Sequence, residues 1–360
     1  MSRATVATIH LGALRRNLAR VRERARGAKV MAVVKADGYG HGLERVARAL
    51  SGADAFGVAA IGDGLRLRAA GITNRVVVLS GPDESADLNE FRRLGLDAVI
   101  HHDAQIAWLE ADRDTRPLRA WLKLDTGMHR LGFAPERAAE IRARLRALAN
   151  VDPDIVLMSH FAASDEFENP LTQRQLERFD EATRGLAGAR SLANSAALLG
   201  WPRATADWVR AGGVLYGLSV VEGKTGADLG FEPAMTLTTK LVAVNRARRG
   251  ERIGYAATWE CPEDMPVGVA AIGYGDGYPR SAPPGTPVVV NGAHAPLIGR
   301  VSMDLITIDL RSAADAGVGD RVVLWGRDLP VEEIAARAGT ISYDLTCGMT
   351  KRVLFVEDGN

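Results

Sequence analysis

A single lysine closes an apolar run. In Val30-Met31-Ala32-Val33-Val34-Lys35, five residues suited to a buried strand precede the amine, so such a strand would carry it to the protein's mouth. A lysine amine placed there attacks carbonyl carbon and, when neutral, works as a base. His101, Lys123, Arg130, His160, Asn194, Ser195 and Arg210 lie in or just past later runs of the same kind, mostly toward their C-terminal ends. One polar residue at a strand end means little, because chains turn polar there; seven or eight on one rim are harder to dismiss. The segment Arg210-Ala211-Gly212-Gly213 adds exposed backbone N–H groups beside the Ser195 hydroxyl, a set suited to phosphate. Taken alone, the glycine pair equally serves close strand packing. An amine and a phosphate site on one rim together point to pyridoxal 5′-phosphate (PLP) held covalently by the lysine.

The elements that would position these residues alternate through the first two thirds of the chain. Apolar, β-branched runs occur at 30–36, 56–60, 76–80, 97–101, 120–125, 155–160, 191–194 and 208–216. Segments of helical spacing lie between them, at 14–26, 43–50, 65–70, 87–94, 104–111, 135–148 and 171–186, with a shorter one after Ser195. Eight such units predict a parallel (β/α)8 barrel, although an open doubly wound sheet has the same local signature. The unusual residues at the strand ends favour the barrel, whose active sites sit at the C-terminal mouth. After about Gly226 the pattern changes to strands at 234–244, 267–272, 287–290, 305–310 and 321–325, with one helix at 331–338. The expected division is a barrel over 1–226 and a mainly β domain over 227–360.

Composition narrows the function. The 360 residues are 47% hydrophobic and 25% charged, as in an ordinary globular protein with room for two domains. No apolar run approaches the roughly 18 residues of a membrane span, and the N-terminus lacks a signal-type segment, so a cytoplasmic enzyme is expected. Lys plus Arg number 45 against 44 Asp plus Glu, for a net charge of +1, which offers no footprint for nucleic acid and directs attention to a small molecule. Cys261 and Cys347 stand far apart in no metal-like spacing, so neither a metal site nor a disulfide is expected.

Five segments, in order along essentially the whole chain, resemble the alanine racemase family. They are Val33-Val34-Lys35-Ala36-Asp37-Gly38-Tyr39-Gly40-His41-Gly42, Lys123-Leu124-Asp125-Thr126-Gly127-Met128-His129-Arg130-Leu131-Gly132, Ser159-His160-Phe161-Ala162, Gly254-Tyr255-Ala256-Ala257-Thr258, and Gly273-Tyr274-Gly275-Asp276-Gly277 with Gly299-Arg300-Val301-Ser302-Met303-Asp304. The resemblance implies a PLP-dependent isomerase, a homodimer with shared active sites that interconverts L- and D-alanine and supplies D-alanine for cell-wall peptidoglycan. It assigns the two bases to Lys35, for the D-face, and to Tyr255 of the partner subunit, for the L-face. A phenol near its ordinary pKa of about 10 needs a neighbour that favours its anion, and the family pattern offers His160 and Arg210. Arg210 would face the pyridine nitrogen and, donating hydrogen bonds only, keep it unprotonated. The resemblance further implies that Tyr39, Ser195, Gly212 and Gly213 hold the phosphate, with His160 also among the cofactor contacts. Arg130 would bind the substrate carboxylate with the Met303 N–H of the partner, and Tyr274 would line the entrance. Lys123 matches a position that is a carbamylated lysine in many members. No role is implied for His41, His101, His102, His129 or His294.

Departures from the family pattern concern pocket shape. Lys351 stands where some members place a tyrosine on the phosphate, and Ser302 and Gly348 also differ from relatives. Racemisation of serine or of a broader amino-acid set is the alternative reading. A barrel-type PLP decarboxylase would pair the ring nitrogen with a carboxylate, against Arg210, and a lone-barrel PLP-binding protein would lack the segments around Tyr255 and Met303.

Overall fold

The computed structural model describes residues 4–359. Eight parallel strands, Lys29–Val33, Ala55–Val58, Arg75–Val78, Leu96–Ile100, Ala120–Lys123, Val156–Met158, Arg190–Ser191 and Trp208–Ala211, form a closed barrel. Closure comes from the first strand pairing with the last, Val30 opposite Val209. Their interior face contributes Met31, Ala55, Val77, Val99, Trp121, Val156, Met158 and Trp208, which fill the centre of the barrel. Helices between the strands bury one stripe each. Asp87–Leu94, for example, buries Leu88, Phe91 and Leu94 and stops at Gly95, whose φ of 61° suits a left-handed C-terminal cap.

The N-terminal end of the barrel is plugged by a buried charge. The Asp97 carboxylate, without solvent exposure, accepts from Trp121 Nε1 at 2.8 Å and pairs with the guanidinium groups of Arg75 and Arg119. Arg75 lies 5.5 Å from the ring centroids of both Trp121 and Trp208, which meet edge to face at 5.3 Å. This end is therefore solid, and the opposite mouth is the one left for chemistry.

The chain divides into two compact units, one comprising Arg15–Leu215 with Val220–Lys224 and the other comprising the segment up to Leu14, Tyr216–Ser219 and everything from Thr225 onward. The second unit is mainly β. Its long strand Met235–Ala247 pairs antiparallel with both Arg321–Trp325 and Met265–Ala270, with bulges at Leu237/Thr238 and Leu241/Ala243 that let it bend between two neighbours. Ile306–Asp309, Ala293–Ile298 and Pro287–Val290 complete the sheet.

Boundaries differ from the sequence expectation in three places. Val6–His10, which the 1–226 division assigns to the barrel segment, instead lies between Met235–Ala247 and Leu354–Asp358, because Ala7 and Ile9 are buried and both strand edges are paired. The first barrel strand ends at Val33 and the last at Ala211, where glycine-rich turns take over, rather than at Ala36 and Tyr216. Ala293–Ile298 and Leu354–Asp358 are strands, and Ser342–Cys347 is a second helix, none of which the sequence pattern singles out. Among the described residues no helix is long and apolar enough to cross a membrane.

Candidate active site

The Val34 N–H donates to the Gly57 carbonyl at 2.8 Å, so Lys35 is the first side chain past the hydrogen-bonded end of its strand. The chain then makes a left-handed turn, with φ of 52° at Ala36, 54° at Asp37, 63° at Gly38 and 52° at Tyr39. An L-residue in this region costs roughly 1–2 kcal/mol, so Ala36, Asp37 and Tyr39 together hold roughly 3–6 kcal/mol of strain. Backbone bonds from Gly38 to Val34, Gly40 to Ala36 and Gly42 to Asp37 stitch the turn at 2.8–2.9 Å.

The turn brings Tyr39 to the end of the eighth strand. A Cβ at position 212 would lie 2.5 Å from Tyr39 Oη, so only glycine lets the phenol rest against this backbone. The Gly212 N–H donates to Ser195 Oγ at 2.8 Å, while Asn194 caps the following helix by accepting from the Ala197 N–H. Tyr39, Ser195 and Gly212 thus converge, and Gly213 opens the short helical turn that follows. Two hydroxyls beside a glycine-rich backbone turn are groups suited to an anion such as phosphate.

Arg210 is buried among carbonyls. Nη1 donates to the Ser191 carbonyl and hydroxyl at 2.8 Å each, and Nη2 donates to the Ser159 carbonyl at 2.7 Å, the Leu192 carbonyl at 3.1 Å and His160 Nδ1 at 3.2 Å. Burial pushes its pKa down to about 10, so it remains a cation at neutral pH. Its Nε–H makes no hydrogen bond among the described residues and is the donor left for a ring nitrogen or another acceptor. Because Arg210 donates to Nδ1, the His160 ring carries its proton on Nε2. Burial and the surrounding cations Arg210, Lys123, Arg130 and Lys35 hold its pKa well below 6.5, so the ring is neutral.

Lys123 ends the fifth strand and is nearly enclosed. Burial first, then Arg210, Arg130 and Lys35, lower its amine to about 8, an effect that Asp125 opposes. The loop after it is organised by the Asp125 carboxylate, which accepts from the N–H groups of Gly127, Met128 and His129 at 3.0 Å each. That wrapping leaves Arg130 exposed at the rim, and Gly132 is required because a Cβ would meet the Asp125 N–H at 2.6 Å.

In the β unit, three loops present exposed apolar side chains. Tyr255, 68% exposed, sits in a tight turn with Gly254 at φ 75°, against the Gly299-Arg300 backbone. Tyr274 and Met303 are linked through their backbones, with Tyr274 N–H on the Ser302 carbonyl and Gly275 N–H on the Met303 carbonyl. A Cβ at Gly273 would meet Ser302 O at 2.2 Å and Met303 O at 2.4 Å, which explains glycine there. Arg352 pairs with the buried Asp276 at 3.2 Å and with Asp304, tying the same loops. The Met303 N–H itself makes no backbone bond among the described residues.

The residues expected from sequence therefore fall into two constellations. Lys35, Tyr39, Lys123, Arg130, His160, Ser195, Arg210, Gly212 and Gly213 occupy the barrel mouth, whereas Tyr255, Tyr274 and Met303 belong to the β unit. Lys351 is exposed in a turn of that unit. His101 Nε2–H donates to the Ser80 carbonyl at 2.7 Å, the His101 backbone N–H donates to Gln105 Oε1 at 2.8 Å, and burial lowers the pKa of the ring. Sequence reasoning missed Ser191 and Gln175. The latter donates to the His160 carbonyl at 3.0 Å and accepts from the Ala162 N–H at 2.9 Å, fixing the His160 strand end. A signal for it existed: Gln175 stands in the stripe Thr172, Gln175, Leu176, Phe179, where an apolar residue is the rule.

Known proteins match along the full chain. The model of the alanine racemase N-terminal domain matches residues 9–220, and that of the alanine racemase C-terminal domain matches residues 234–356. An alanine racemase of Shewanella woodyi is 50% identical over 347 residues, covering 96% of this chain and 97% of that protein. One of Coxiella burnetii is 47% identical over 362 residues, covering 99% of each. The crystal structure of the biosynthetic alanine racemase from Pseudomonas aeruginosa superposes with a TM-score of 0.96 at 42% identity, covering 99% of each chain.

Proposed function

The chain belongs to the alanine racemase family, and from that premise we propose that it interconverts L- and D-alanine at the barrel mouth, with Lys35 carrying PLP and Tyr255 of a partner subunit as the opposing base. The observation that carries this reading is the charge of the mouth. Burial first, and then the nearby cations Arg210, Arg130 and Lys35, depress the Lys123 amine to about 8, so four cationic side chains share one mouth, an arrangement suited to anionic ligands. A phosphate at Tyr39, Ser195, Gly212 and Gly213 and a carboxylate at Arg130 answer that need. PLP, when bound, withdraws electrons and makes the Cα proton of the attached amino acid acidic.

The protein's own groups then divide the work. Lys35 Nζ takes or returns the proton on the D-face, and Tyr255 Oη of the partner subunit does so on the L-face. Two opposed bases are needed, because one base returns the proton to the side it left. Arg130 fixes the substrate carboxylate with two charge-assisted donors, aided by the unpaired Met303 N–H of the partner subunit. Neutral His160, held by Arg210 and Gln175, would contact the bound cofactor and help order the tyrosine base of the partner subunit. The Nε–H of Arg210 would be the donor available to the ring nitrogen of a bound cofactor. A cation that only donates would keep that nitrogen unprotonated, weaken the electron sink and favour fast return of the proton over transamination. A decarboxylase of this barrel type would need a carboxylate where Arg210 stands.

The exposed side chains of Tyr255, Tyr274 and Met303 in loops of the β unit support a homodimer that covers them. The tyrosine at 274 would line the substrate entrance, and the product would supply peptidoglycan synthesis in the cytoplasm. The test is an absorption spectrum with PLP before and after borohydride, peptide mapping of the reduced adduct, and deuterium uptake into both alanine enantiomers in D2O. A band fixed to Lys35 with exchange into both enantiomers supports the reading. Label entering with loss of CO2, or no adduct at Lys35, overturns it, and faster exchange into serine changes the substrate.

A further inference from the structure

The left-handed turn from Ala36 to Tyr39 is held from outside by an ion-pair bracket that the racemisation chemistry does not use. Asp37 Oδ1 accepts from the Leu43 N–H at 3.1 Å and from Arg66 Nη2 at 2.7 Å. Arg66 is oriented by Glu44, which accepts from Nε at 2.8 Å and from Nη2 at 2.9 Å. The bracket therefore joins the turn to the helix Leu43–Ala49 and to the helix Ile61–Ala69 of the next βα unit. Glu44 is held below its usual carboxylate range chiefly by its bond to Arg66, consistent with a formed pair.

Strained backbone relaxes unless its surroundings over-determine it. Here Lys35 immediately precedes the strained stretch and Tyr39 ends it, and an alternative right-handed path would displace one relative to the other. We propose that Asp37 and Arg66 are a positioning pair, which locks the left-handed turn so that the Lys35 amine and the Tyr39 hydroxyl face the cofactor together. The inference rests on the reading that Lys35 carries PLP. All three side chains of the bracket are substantially exposed, and such pairs contribute little to global stability, so their effect on aiming is separable from folding.

The test compares wild type, Arg66→Met, Asp37→Ala, the double variant and Arg66→Lys, each as full-length protein reconstituted with PLP. Three quantities are read: the PLP dissociation constant, hydrogen exchange at the amides of Gly38, Gly40 and Gly42, and the melting temperature. Arg66→Met is expected to weaken PLP binding threefold to tenfold and to speed exchange at those amides, with melting unchanged. Arg66→Lys restores part of the affinity, and the double variant is no worse than Asp37→Ala, since both residues act through one contact. Unchanged affinity and unchanged exchange in Arg66→Met overturn the proposal, as does a loss matched by equal loosening of exchange throughout the barrel. Borohydride mapping of the wild type separates the two readings: an adduct away from Lys35 overturns both, whereas an adduct at Lys35 with an indifferent Arg66→Met overturns only this one.

Discussion

Protonated Lys123 is a cost to the folded protein that a carbamate would turn into an attraction. Its amine is lowered to about 8 from an ordinary 10.5, so at pH 7.5 roughly a quarter of the molecules carry it neutral, against about one in a thousand for a free lysine. Only the neutral amine combines with CO2, so the fold raises the reactive share by more than a hundredfold. The depressed pKa also means that the unfolded chain binds the proton more readily. Stability therefore rises as pH climbs from about 8 to 10.5, and below 8 the fold bears about 3 kcal/mol of unfavourable charge. A carbamate replaces a cation facing Lys35, Arg130 and Arg210 with an anion. Intact-mass measurement of bicarbonate-equilibrated protein should show one CO2 adduct, lost on acidification. In CO2-free buffer at pH 7, Lys123→Met should be more stable than wild type toward urea. Lys123→Glu should keep a lower KM for alanine than Lys123→Met, because a carboxylate can still orient Arg130. A Lys123 amine that titrates near 10.5, or wild type and Lys123→Met equally stable in CO2-free buffer, refutes the reasoning.

The plug at the other end of the barrel should govern stability without touching chemistry. Asp97→Ala leaves the buried Trp121 N–H without its acceptor, while the partly exposed Arg75 and Arg119 turn to water, and it is expected to cost about 1–3 kcal/mol in denaturant unfolding, while kcat at room temperature stays at the wild-type value. Gly273→Ala drives a methyl into the carbonyls of Ser302 and Met303, so it should raise KM for alanine through the displaced Met303 N–H, while Gly317→Ala, where nothing lies within 4 Å, leaves KM alone. Neutral His160 has a folded pKa well below 6.5, so apo-protein stability should fall as pH drops through 6.5, and His160→Gln should flatten that slope in pH-dependent melting. An unaltered slope in the variant would mean that another group carries it.

The β/α rhythm and its eight apolar runs were legible because each barrel strand is buried on both faces and therefore reads as an unbroken apolar run. Lys35, Lys123 and Arg210 stood out for the related reason that a charge at the end of such a run has few structural explanations. The sequence pattern concealed other features where the deciding contact is distant. Val6–His10 reads like the start of the barrel segment, yet its partners lie beyond residue 230. Ala293–Ile298 contains Pro296, which demotes a strand signal, but a neighbouring strand fills the other edge. Leu354–Asp358 is polar enough to pass for a tail, and only its parallel pairing with Val6–His10 makes it a strand.

The same division runs through the site. Residue types along the chain determined which groups were available: an amine at a strand end, glycines beside hydroxyl side chains, several cations and two phenols. Tertiary structure alone decided that Ala36, Asp37 and Tyr39 take left-handed backbone, that Arg210 spends four donors on carbonyls, a hydroxyl and a ring nitrogen while keeping Nε–H, and that Lys123 titrates near 8. Those properties come from burial and from charges brought together by chain closure, and a linear pattern of residue types contains neither.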